Sequence, residues 1–160
     1  MEPGLLGGWS DFFVAQAGAS ATLAGLLFVS VSINLGQILK YPHLPIRALE
    51  ALAALLCLLV VSTFALVPGQ TPAEYGIEAA GTGLVTWAIQ TTALLRTARS
   101  GYETSVRYLL NQVPPLPFVV AGTLMAFGHA RGLYWIVAGV LLCILSGVYS
   151  AWVLLVEIQR

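Results

Sequence analysis

Residues Phe12 to Leu39 read FFVAQAGASATLAGLLFVSVSINLGQIL, without one charged side chain. A run this long and this apolar is a candidate membrane span. Its polar residues are ordered rather than scattered. Gln16, Ser20, Leu23, Leu27, Ser30, Asn34 and Gln37 recur at alternating spacings of four and three, which places them on one helix face. The stripe is polar at both ends and apolar at Leu23 and Leu27. Amides exposed to hydrocarbon are costly, so the stripe is expected to face protein or water.

The rest of the chain agrees. Its 160 residues are 58% hydrophobic and 9% charged, with mean hydropathy +0.86. A soluble domain carries about 25% charge, so a water-soluble fold is excluded. Net formal charge is zero and no basic run exists, which removes the electrostatic basis for nucleic-acid binding. Met1 to Ser10 contains Glu2 and neither Lys nor Arg. It lacks the basic start of a cleaved signal peptide, so the first span is expected to be retained.

Proline, glycine and charge divide the chain into five expected spans, 12–39, 48–67, 76–95, 108–128 and 133–156, in one transmembrane domain covering 1–160. The fourth carries Pro114, Pro115 and Pro117 near its start, and a kinked span is expected there. Lys40, Arg47, Arg96, Arg99, Arg107 and Arg160 fall on one side of this arrangement, and only Arg131 on the other. By the positive-inside rule the N-terminus is outside and the C-terminus inside. The expectation is an all-α polytopic integral membrane protein of five helices.

Three groups of residues are candidates for function. The first is the stripe on helix one. In a ring of subunits it makes a pore lining, with wet vestibules at Gln16 and Ser20 and at Ser30, Asn34 and Gln37, around a dewetting constriction at Leu23 and Leu27. Its other use is hydrogen bonding to the remaining spans of the same subunit. The second group is a small-residue face of the same helix, Gly18, Gly25, Ser32 and Gly36, which lets helix backbones approach closely. Neighbours on two sides place this helix at the centre of the bundle. The third group, Glu50, Gln90, Thr91, Asn111 and Gln112, gathers toward the inner leaflet as a polar cavity for a solute or ion.

Catalysis finds no constellation. No cluster of His, Cys, Asp and Glu has metal-ligand spacing, and Ser146 and Ser150 have no general base on their span. His43 and His129 fall on opposite sides of the membrane and cannot share a haem. Cys57 and Cys143 lie in apolar runs and read as packing residues. No enzyme, metal or cofactor is expected.

Part of the chain has a likeness. Phe12-Phe13-x-Ala15-x-Ala17-Gly18-Ala19-x-Ala21-x-Leu23-Ala24-Gly25-Leu26-Leu27-Phe28-Val29, then Ser32-Ile33-Asn34-Leu35, form the first block. Leu44-Pro45-x-Arg47-Ala48 and Leu66-Val67-Pro68-Gly69-Gln70 form the second. Together they resemble a group of small bacterial multispan membrane proteins, some labelled "modulator of FtsH protease". The resemblance covers spans one and two. It implies a bacterial inner membrane and a membrane-anchored protease as partner, and it brings no site residues. The functional expectation is a small homo-oligomeric channel-like protein with helix one lining an ion or solute path. The alternative is an accessory subunit bound to a larger membrane complex.

Overall fold

The computed structural model describes residues 6–41, 44–98 and 105–158, and all its regular structure is helical. A 3-10 turn at Gly7–Trp9 leads into α1, Ser10–Ile33. A short α2 follows, Leu35–Ile38. Next come α3, Leu44–Ala65, and α4, Pro72–Ala98. The last three are α5, Ser105–Gln112, α6, Leu116–Ala126, and α7, Gly132–Ile158. The residues before Leu6, His43, Arg99 and Arg160 lie outside the described residues.

Among the described residues four segments are long and apolar enough to cross a membrane: Gly7–Ile33, Leu44–Ala65, Tyr108–Ala126 and Gly132–Val153. The third of these joins α5 to α6 across the prolines. α4 matches them in length, at 27 residues or about 40 Å. Glu78, Thr82, Thr86, Gln90, Thr91 and Thr92 make it less apolar.

Helix one is shorter than expected. It stops at Ile33, where Asn34 leaves helical geometry at φ −99° and ψ 11°. The Asn34 side chain donates to the Ser30 carbonyl at 2.9 Å, competing with the helix ladder. The break at Asn34 divides the expected span into α1 and the short α2. The expected kink between α5 and α6 is a turn through Val113, Pro114 and Pro115. Those prolines withhold two backbone donors, and Pro115 and Pro117 frame the start of α6.

The bundle is centred on α3, not on helix one. α3 packs against α1, α4 and α7, while α4 packs on α6 and α6 on α7. In the most apolar window of α1 22% of the residues are buried, against 61% in that of α3. The reason lies in side-chain size. Ala48, Ala51, Ala54, Ala65 and Cys57 let α3 be approached from three sides.

Two cores follow. The end of the bundle nearest Gln70 is filled by Phe13, Leu58, Val61, Tyr75, Phe118, Met125, Leu133 and Ile136, each at most 1% exposed. Phe13 and Tyr75 meet edge to face at 5.8 Å. The end nearest Lys40 has a smaller core of Leu27, Ile38, Leu44, Ala48, Ala51 and Leu55.

Candidate functional site

Several buried polar side chains, Glu50, Gln90, Asn111, Gln112 and Ser146, lie toward the Lys40 end. α3 and α4 are joined by a short turn at Gly69 (φ 76°) and run antiparallel. The groove between them extends from Phe64 and Glu78 to Leu49 and Ile89, which puts Glu50 and Gln90 at one level. α5 arrives at the same level. Thr91 donates from its hydroxyl to Gln112 Oε1 at 3.1 Å. Ser146 of α7 donates to the Leu110 carbonyl at 2.8 Å, one residue before Asn111.

These groups are enclosed. Gln90 is fully buried, Glu50 and Asn111 are 2% exposed and Gln112 8%. Their hydrogen bonding is incomplete. Neither amide atom of Gln90 has a partner, nor has Asn111 Nδ2 or Gln112 Nε2. An amide withdrawn from water without a partner costs about 2–7 kcal/mol. A bundle that holds three amides with unpartnered atoms near one level, Gln90 with both and Asn111 and Gln112 with their donors, has hydrogen-bonding capacity available for something polar. Glu50 is engaged in an interaction of its own. Four of the five residues expected in an inner polar cavity are thus fully enclosed, and Thr91 is half-buried.

Sequence reasoning missed part of this centre. Ser146 and Ser150, weighed only as nucleophiles, are 2% and 9% exposed on the same side of α7 as buried Cys143. Their spacing of four was the available signal.

The stripe on helix one is divided among several surroundings. Ser20 is fully buried and donates back to the Gln16 and Ala17 carbonyls of its own helix, at 2.7 and 3.1 Å. Gln16 is half-buried, with an unpartnered Oε1. Leu23, Leu27 and Ser30 line an apolar cleft of about 350 Å³ between α1 and α7, floored by Leu55 and Gly147. Asn34 bonds to Ser30, and exposed Gln37 accepts from Lys40 Nζ at 2.8 Å. The small-residue face behaves differently. A Cβ added to Gly18, Gly25 or Gly36 would meet nothing within 4 Å, and Ser32 is exposed. The glycines that seat helices within the subunit are Gly76, Gly83, Gly122, Gly132, Gly139 and Gly147.

Among the described residues no group of three His, Cys, Asp or Glu side chains is placed to hold a metal ion. Comparison of the chain with family models, with curated proteins and with solved structures gives no match.

Proposed function

We propose that this chain is a five-span protein of a bacterial inner membrane, N-out and C-in, that receives a small polar solute or hydrated ion in a vestibule opening to the inside. The fifth span is α4. Packed against α3 and α6, it has neighbours to receive its polar side chains. Lys40, Arg47 and Arg96 at one end, with acidic Asp11, Glu74 and Glu78 at the other, set the orientation.

The observation that carries the reading is Gln90, fully buried with both amide atoms unpartnered. Asn111 and Gln112 on the adjacent α5 have unpartnered donors, and a polar guest held between α4 and α5 satisfies all three. The opposite end is closed by Phe13, Tyr75, Phe118 and Met125, so access is from one side. In this reading the path belongs to α4, α5 and α7 rather than to helix one. A channel-like role requires the aromatic end to open.

The test uses Gln90→Cys and Asn111→Cys in a Cys57→Ser/Cys143→Ser background. A charged, membrane-impermeant thiol reagent is applied to either face of vesicles. The expected result is modification from the inner face only. If neither cysteine reacts in the intact membrane while both react after denaturation, the centre is dry and the vestibule is rejected.

A second reading is supported by helix one. It is the least buried of the four apolar segments, and it turns open glycines outward. Such a face suits a neighbouring helix, from another copy or from a larger membrane protein such as the protease partner that the resemblance implies. Co-purification with a larger membrane protein, lost in Gly25→Leu, supports this reading. A chain recovered alone in native lipid rejects it.

A further inference from the structure

Cys57 of α3 and Cys143 of α7 are distant in sequence and read separately as packing residues. The fold brings them together. Both are free and buried, at 3% and 0% exposure, and their thiols lie within hydrogen-bonding reach of each other. The Thr86 hydroxyl of α4 also reaches Cys57. Cys143 Sγ sits 3.9 Å from the Pro114 carbonyl oxygen. The pair therefore occupies the junction of α3, α4, α7 and the proline turn. Close approach of α3 and α7 is built in nearby, where a Cβ on Gly147 would already touch Leu55 at 3.2 Å.

One of the two thiols has an outlet. Cys57 and Thr86 line the groove between α3 and α4, about 560 Å³ in volume, whose walls include Leu56, Val60, Val85 and Ile89. Leu56, Val60 and Val85 are exposed on its rim. In a membrane this groove opens onto hydrocarbon. Hydrophilic oxidants such as glutathione disulfide are excluded from that medium, whereas an oxidant dissolved in the bilayer is not.

We infer that Cys57 and Cys143 form a redox-active dithiol that a lipid-soluble quinone oxidises through the α3–α4 groove, closing a disulfide between α3 and α7. The two S–H bonds break and one S–S bond forms. Both protons and both electrons pass to the quinone, which leaves as the quinol. Cys57 meets the quinone because it lines the groove, and Cys143 completes the bond from behind. A disulfide bond is ~2.05 Å long, so closure from hydrogen-bonding distance needs a shift on the order of 2 Å. The product ties the central helix of the bundle to α7.

The wild-type protein in lipid nanodiscs tests this directly. A hydrophobic benzoquinone is added to the lipid, and thiols are then counted by alkylation after denaturation, with intact mass read in parallel. The expected result is loss of both alkylatable thiols and a mass decrease of about 2 Da, the two hydrogens transferred. Glutathione disulfide in the buffer should give neither. Cys143→Ser should keep its single thiol under the same quinone. Two thiols still alkylated after quinone treatment overturn the inference. So does a mass gain equal to a quinone adduct, or a disulfide that joins two chains instead of two helices.

Discussion

Gly76 and Gly122 hold α4 and α6 together by having no side chains. A Cβ on Gly76 would stand 2.7 Å from the Gly122 carbonyl oxygen, and one on Gly122 would stand 2.7 Å from the Ala80 backbone nitrogen. Both obstacles are backbone atoms, which cannot swing aside. α4 is the least apolar of the long helices, and this contact lets it pack on α6 along its length.

Gly122→Ala should therefore destabilise the bundle by about 1–3 kcal/mol, and Gly122→Val by more, through overpacking. Gly18→Ala should leave stability unchanged or slightly raised, since nothing lies within 4 Å of the added carbon. Unfolding of purified protein in mixed detergent micelles, followed by circular dichroism, measures all three. Equal midpoints for Gly122→Ala and the parent would show that α4 and α6 do not meet there.

Gln90→Leu exchanges an unpartnered buried amide for an apolar side chain of similar volume. While no guest is bound, the unpartnered amide costs about 1–3 kcal/mol that a leucine side chain does not. The variant should resist detergent unfolding better than the parent. It should also lose any protection that a bound polar solute gives to Asn111→Cys. A less stable Gln90→Leu would mean that the amide is already satisfied, by water or by a resident guest.

The helical class, the apolar segments and the polar level at Glu50, Gln90, Asn111 and Gln112 were legible in the sequence, because composition and spacing carry them. Helix order in space was not. Helix one looked central because small residues fill two of its faces, yet the open sides of Gly18, Gly25 and Gly36 show that small residues mark a possible contact without naming its partner. The same limit hid Gly76 against Gly122, a pairing across two helices that only the fold reveals. It also hid the meeting of Cys57 with Cys143, each of which looked like filler in its own span. One local signal went unread. Thr71-Pro72-Ala73-Glu74 is a capping box with proline in the first helical position.

That box makes a pH prediction. The Thr71 backbone N–H and hydroxyl both donate to Glu74 Oε2 at 2.8 Å, and the Glu74 N–H donates to Thr71 Oγ1 at 3.2 Å. The Thr71 backbone donor, and then its hydroxyl, hold the fully exposed Glu74 carboxyl below the usual glutamate range. A folded value below the unfolded one means that the cap contributes in full above the ordinary glutamate range. The contribution is lost as pH falls through the lowered folded value. The protection of amides in the first turn of α4, expressed relative to their intrinsic exchange rate at each pH, should therefore fall on acidification, and Glu74→Gln should flatten that response. An unchanged pH profile in Glu74→Gln would separate the start of α4 from this carboxylate.

Helix one gives the prediction that separates assembly from solitary action. Gly25 is exposed, and a side chain there meets nothing in the subunit. Gly25→Leu should therefore leave the unfolding midpoint of the subunit where it is. It should obstruct any helix that packs on the Gly18, Gly25, Ser32 and Gly36 face, because close backbone approach is what small residues permit. Leu27→Ser is the contrasting variant. Leu27 is 8% exposed within the second core, so its truncation should cost about 2–4 kcal/mol of subunit stability. Native mass spectrometry of protein released from lipid nanodiscs reads assembly for both. An oligomer lost in Gly25→Leu, in a subunit as stable as the parent, assigns the open face to contacts between copies. An oligomer that survives places those contacts elsewhere. If the parent itself is a monomer, the open glycines are left for a different membrane protein, and the polar centre at Gln90 has to function within one subunit.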